Sequence, residues 1–240
     1  MSKIYKNIQE AASKSEKLLA ILIDPDKFLV ENVSSFFEKV NVSIATHIFV
    51  GGSTVNDNAT DVLVFEIKKH TSLPVVLFPG DVTQITNKAD ALLFLSLISG
   101  RNPEYLIGKH VASVSKLRNS NLEVIPTGYI LIENGKETAV QRVTGTHPIS
   151  RDDIQTIAYT AKAGELLGMK MIYLEAGSGA THSVTPEIIS LVKQELQIPL
   201  IVGGGIRSKQ QLDAAYKSGA DLVVIGTAFE ENIAFFEALN

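Results

Sequence analysis

The chain has 240 residues, 45% of them hydrophobic and 20% charged, with a net charge of −4 and no cysteine. That length allows one well-buried core, and the balance is that of an ordinary soluble globular protein. The mild acidity offers no basic face to nucleic acid, and the missing thiols exclude disulfides, thiolate metal sites and cysteine nucleophiles, as suits a reducing cytoplasm.

Met1-Ser2-Lys3-Ile4-Tyr5-Lys6 opens the sequence with no apolar run behind its lysines, so no secretory leader is expected. Short aliphatic or β-branched runs then recur at residues 18–23, 47–50, 75–78, 91–97, 123–132, 171–174, 199–202 and 222–225, eight in all. Each is too short to span a bilayer, so no transmembrane segment is expected. Near-continuous apolar strands are what a parallel sheet buried on both faces requires. Helical patterns lie between them. Residues 103–117 place Tyr105, Leu106, Val111, Val114 and Leu117 on one apolar face, and residues 153–167 follow Ser150 as N-cap. Thr185-Pro186 reads as an N-cap with proline at the first helical position, and residues 208–218 stop at Gly219. The link at residues 81–90 has room for a short helix at most, and Asn134-Gly135 signals a tight, hairpin-like turn. Strands alternating with helices over this length predict one domain, residues 1–240; eight strands favour a closed (β/α)₈ barrel over an open doubly wound sheet, which the same count would also fit.

In such barrels chemistry sits just beyond the strands' carboxyl ends. The last two runs end in Gly203-Gly204-Gly205 and Gly226-Thr227, where glycine backbone can approach a phosphate closely. Tyr173 and Glu175 share one side of the sixth strand by alternation, beside Gly177-Ser178-Gly179. A glutamate there is suited to binding or deprotonating a substrate hydroxyl. Asp24-Pro25-Asp26 after the first strand serves equally as a helix cap or, with Ser53, as a Mg²⁺ site. His47 reads as structural; His147 and His182 lack metal-ligand spacing, so no zinc is expected. The Arg101-Asn102-Pro103 turn has the chemistry for a second anion, but a surface arginine at a helix start is the preferred reading.

Seven stretches follow in order: Leu22-Ile23-Asp24-Pro25-Asp26-Lys27, Phe49-Val50-Gly51-Gly52-Ser53, Pro79-Gly80, Ser99-Gly100-Arg101-Asn102, residues 173–179, Val202-Gly203-Gly204-Gly205-Ile206-Arg207 and Gly226-Thr227-Ala228. In that combination the chain resembles the geranylgeranylglyceryl phosphate synthase family, and by length its second group. Residues 173–179 are the specific part. The resemblance implies a modified (β/α)₈ barrel with one crossover element reduced, and a homo-oligomer. It further implies ether-bond formation, in which the terminal hydroxyl of sn-glycerol 1-phosphate attacks C1 of a prenyl diphosphate, here geranylgeranyl diphosphate. Mg²⁺ would be held at Asp24 and Ser53. Glycerol phosphate would be held by Tyr173, Leu174, Glu175, Ala176, Gly177, Ser178, Gly179, Gly204, Gly205, Gly226 and Thr227, with Glu175 as base and Tyr173 positioning the glycerol. Shorter relatives with a longer donor carry lysine two residues before the metal aspartate; here Leu22 stands there, leaving Lys27 or Arg207 to neutralise phosphate. Phe78, Phe94 and Tyr129 are candidates for an apolar tail groove or for plain core. Rival readings are a sugar-phosphate isomerase, a flavin-phosphate oxidoreductase, or a non-catalytic binder of phospholipid precursors.

Overall fold

A computed structural model of the chain describes residues 4–231; residues 1–3, part of the stretch read for a leader, and residues 232–240 lie outside the described residues. Strands β1 (Leu18–Ile23), β2 (His47–Val50), β3 (Val75–Leu77), β4 (Ala91–Leu97), β5 (Glu123–Leu131), β6 (Met171–Glu175), β7 (Leu200–Gly203) and β8 (Leu222–Ile225) form a closed parallel barrel in chain order. Pairing of β8 with β1 closes it, from Leu18 on Leu222 to Ile21 on Ile225. Alternation sorts the side chains into two layers. Ala20, Phe49, Leu93, Tyr129 and Tyr173 fill the interior, while Ile21, Ile48, Leu92, Ile130 and Leu174 face the surrounding helices.

Those helices are α1 (Ile4–Ser13), α2 (Val33–Val40), α3 (Ala59–His70), α4 (Lys109–Leu117), α5 (Ala139–Thr144), α6 (Ile154–Leu166), α7 (Pro186–Glu195), α8 (Lys209–Lys217) and α9 (Thr227–Glu231). Helix α1 packs Ile4 and Ile8 into the interior cluster at the barrel's amino-terminal end. Its first amides, those of Ile4 and Tyr5, donate to the Glu123 carboxylate at 2.6 and 3.1 Å, a favourable charge for a helix start. Thr185 caps α7 as the sequence predicts, and Ser208 caps α8. Between β3 and β4 the chain makes only a 3₁₀ turn, Val82–Gln84, so the third crossover helix is reduced.

Three local expectations are corrected. Asp153, not Ser150, caps α6: its Oδ1 accepts from Thr156 N at 3.1 Å, while the Ser150 hydroxyl serves Asp152 N in the preceding turn. The Asn134-Gly135 turn makes no hairpin, because β5 and β6 are parallel. The Asn134 side chain instead donates to the Ala176 carbonyl, and the chain enters α5 through a Thr138–Gln141 capping box. Nor is 103–117 a single regular helix. A π turn at Glu104–Gly108 precedes α4, and its wider winding shifts the helical phase. Val111 and Val114 are therefore 66% and 49% exposed, and His110 and Ser113 are buried in their place.

Candidate active site

The loops after β1, β2, β6, β7 and β8 meet over the barrel interior around one cavity. Asp24, Ser53, Tyr173, Glu175, Gly177, Ser178, Gly179, Gly204, Gly205, Gly226 and Thr227 all line it. The structure thus gathers residues spread over some two hundred positions of sequence at the strands' carboxyl ends. Leu174 and Ala176 are not brought there. Alternation turns both into the outer layer against the helices, and the Ala176 backbone is already engaged with Gly203 O and Asn134.

Tyr173 and Glu175 form the cavity floor. Strand register sets Tyr129 beside Tyr173, and Glu175 between Leu131 and Gly203. The rings of Phe78, Tyr129 and Tyr173 form a triangle with centroids 5.3 to 5.9 Å apart. The Glu175 carboxyl is buried and accepts from Gly177 N at 2.6 Å. Burial raises its pKa, with the Gly177 amide and then the nearby Tyr173 hydroxyl pulling the other way. Burial also lifts the Tyr173 phenol well above its usual value. Although close to Glu175, the Tyr173 hydroxyl makes no well-formed hydrogen bond, so a buried donor faces the cavity unsatisfied. Such a group is costly unless a ligand meets it.

The glycine side of the cavity is a backbone cradle. Gly204 has φ +84, and a Cβ there would press on the Glu175 carboxylate and come within 2.6 Å of Gly177 N. Only glycine satisfies both the left-handed backbone and that approach. Among the described residues no protein acceptor takes the backbone N–H of Gly179, Gly204 or Gly205. The Ser178 hydroxyl meets that of Thr227 at 3.2 Å, joining the β6 and β8 loops across the opening. Amides and hydroxyls converging in this way suit a phosphate.

Across the cavity Asp24 abuts the turn after β2; a Cβ on Gly52 would lie 2.9 Å from its Oδ1. Asp26 is turned elsewhere, accepting from Asn56 N at 2.9 Å, and does not line the cavity. No three His, Asp or Glu side chains gather as a cation cage among the described residues. One carboxylate with the Ser53 hydroxyl is a hard-oxygen donor pair, and Mg²⁺ accepts that when water and substrate phosphate complete its shell. Lys27 and Arg207 both reach the cavity, Lys27 held by Asp24 at 2.9 Å and Arg207 by the Ala180 carbonyl at 3.0 Å. Leu22 lies in the wall beneath them. His47 sits at the opposite end of the barrel, its Nδ1 2.8 Å from the Thr46 hydroxyl, with its pKa pushed down to about 4 by burial.

A second opening continues from the first. It shares Gly52, Ser53, Phe78, Tyr129 and Val140 with the polar cavity and runs between β4, the Val82–Gln84 turn, α4 and α5. Phe78, Phe94 and Tyr129 line this groove rather than serving as core alone, with Leu95, Tyr105 and His110. Its existence follows from the reduced third crossover, since a full helix would cover that flank.

The PcrB family profile matches residues 12–239. The chain belongs to the PcrB family. A protein from Zunongwangia profunda named geranylgeranylglyceryl phosphate synthase is 58% identical over 96% of this chain and 98% of its own length. One of the same name from Flavobacterium johnsoniae is 54% identical over 99% and 98%. With the identity it shares with these named synthases, the chain is an enzyme, a prenyltransferase. The crystal structure of (S)-3-O-geranylgeranylglyceryl phosphate synthase from Thermoplasma acidophilum, in complex with its substrate sn-glycerol-1-phosphate, superposes with a TM-score of 0.93. It is 34% identical and covers 100% of this chain and 96% of that one. Among the described residues of this PcrB member, no helix is long and apolar enough to cross a membrane. Sequence reasoning missed Thr138, the cap of α5, in the wall of the polar cavity and Val140 of α5 in the walls of both; the Thr138-x-x-Gln141 capping signature was the available signal.

Proposed function

We propose that the protein joins sn-glycerol 1-phosphate to geranylgeranyl diphosphate through an ether bond and releases diphosphate. One observation carries this reading. A phosphate-suited glycine cradle, a buried carboxyl beside an unsatisfied phenol, a carboxylate–hydroxyl pair and an apolar groove form one continuous channel. Each part matches one portion of the two substrates. The named relatives, and the sn-glycerol-1-phosphate complex of the Thermoplasma protein, support the same assignment.

The acceptor's phosphate rests on the amides of Gly179, Gly204 and Gly205 and on the Ser178 and Thr227 hydroxyls. Its glycerol then extends down to Tyr173 and Glu175. The Tyr173 hydroxyl donates to a glycerol oxygen, which satisfies the buried donor and orients the terminal hydroxyl. Glu175 takes that hydroxyl's proton as its oxygen bonds to C1, and the C1–O bond to diphosphate breaks with its electron pair leaving on diphosphate. A carboxyl whose pKa is raised is a better base than a solvated one, though it must still be ionised to act. Asp24 and Ser53 would hold Mg²⁺, which when bound supplies charge neutralisation to the departing diphosphate. Phe78 and Tyr129 stand where the polar cavity passes into the groove, shielding the reacting carbon from water. The groove takes the tail, each buried methylene contributing about 0.8 kcal/mol.

The test is extraction of a labelled ether lipid after incubation with glycerol 1-phosphate, Mg²⁺ and prenyl diphosphates of several lengths. Product formation, greatest with the geranylgeranyl donor, is expected. Folded protein yielding no ether with any donor refutes the reading.

A further inference from the structure

A phosphate dianion seated on glycine amides still calls for positive charge, and the two cavity-lining cations are already engaged, Lys27 by Asp24 and Arg207 by a carbonyl. A third cation stands on the rim. Lys136 follows β5 in the turn that binds the β5 and β6 loops together, and a Cβ at Gly179 would lie 3.3 Å from its Nζ. Among the described residues that ammonium has no carboxylate or other acceptor as partner.

The turn that presents it is pinned from several sides. Asn134 donates through its side chain to Ala176 O, accepts Lys136 N at 3.2 Å through Oδ1, and accepts His182 N at 3.2 Å through its carbonyl. Two residues further on, the Thr138 capping box fixes the entry to α5. The backbone therefore aims the lysine at the glycine loop, while its side chain makes no contribution to holding the turn. Its end is exposed, so it can meet an incoming anion without first breaking an ion pair.

We infer that Lys136 binds the acceptor's phosphate across Gly179, acting as a positioning and affinity residue for that end of glycerol phosphate. The inference rests on the acceptor reading given above, and adds a residue that neither the glycine motifs nor the cavity wall contains. A rim ammonium is partly screened, so its effect is moderate and sensitive to salt.

Binding of inorganic phosphate and of glycerol 1-phosphate is measured by calorimetry for the wild type, Lys136→Met, Lys136→Ala and Lys136→Arg, alongside steady-state kinetics. Lys136→Met retains the apolar stem and removes only the charge. Both neutral variants should bind either anion about tenfold more weakly and depend less steeply on salt. KM for the prenyl donor should not move, kcat should stay within about twofold, and Lys136→Arg should restore binding. Unchanged anion binding in the neutral variants overturns the inference, as does an equal loss towards the prenyl donor. Wild type that takes phosphate but not glycerol phosphate refutes the acceptor reading alone, and the phosphate arm still decides Lys136. Wild type that takes neither refutes both.

Discussion

Replacing Glu175 by glutamine removes one ionisable group from the cavity floor and alters almost no volume. The amide oxygen can still accept from Gly177 N, now 2.6 Å from Oε1, so the loop geometry should survive. What is lost is the base. General-base catalysis is worth on the order of 10² to 10⁴ in rate, about 3 to 5 kcal/mol of barrier, and kcat should fall by that factor. KM for glycerol phosphate should change little, because the phosphate end is held elsewhere. The pH dependence follows from the direction of the pKa shift. Burial raises the folded pKa of Glu175 above the ordinary 4.5, so the folded state keeps this proton to a higher pH than the unfolded chain. The associated stability is present below the unfolded value and is lost as pH rises through the folded one. Glutamine cannot lose it. The variant should therefore melt at or above the wild-type temperature at neutral pH, with the advantage opening above pH 4.5 and levelling off beyond the folded pKa. The acid limb of kcat/KM in the wild type should lie above the usual carboxylate range and vanish from the variant's residual activity. Ether-product assays and thermal melts across pH measure both. Turnover within threefold of wild type, or a variant several degrees less stable at neutral pH, would refute the assignment of Glu175 as a buried base.

Asp24→Asn should raise the Mg²⁺ concentration for half-maximal rate at least about tenfold, read by metal titration of initial rates. Its stability should change by less than about 1 kcal/mol, because the ion pair it breaks has a lysine side chain 56% exposed. Gly204→Ala should lose roughly 1 to 3 kcal/mol of stability in denaturant melts and weaken glycerol phosphate binding, from its φ of +84 and the contact with Gly177 N. Leu95→Trp fills part of the groove; excluding about four methylenes would cost roughly 3 kcal/mol of tail binding. KM should thus rise far more for a geranylgeranyl than for a geranyl donor, and an equal rise for both would argue that the tail lies elsewhere.

The barrel was legible because its strands are written locally: each is a short apolar run ended by small or acidic residues, and eight of them fill 240 residues. The glycine pairs and the Tyr173–Glu175 alternation were legible for the same reason, since φ above zero and strand period are properties of single residues and their neighbours. Leu174 and Ala176 show the limit of reading a motif as a block, because the same alternation that turns Glu175 inward turns them out. Other features needed the folded chain. Nothing in residues 103–117 announces a π turn, whose cost is recovered only in tertiary packing, and that turn decides that His110 rather than Val111 faces the groove. Likewise the sequence names Asp24, Asp26, Lys27, Lys136 and Arg207 as charges without ranking them. By itself it determined the barrel, the strand ends that carry polar residues and the phosphate character of the glycines. Tertiary structure alone decided which charges are committed to protein partners, which reach the cavity, and that a groove opens beside it, because those depend on contacts between segments that local patterning does not encode.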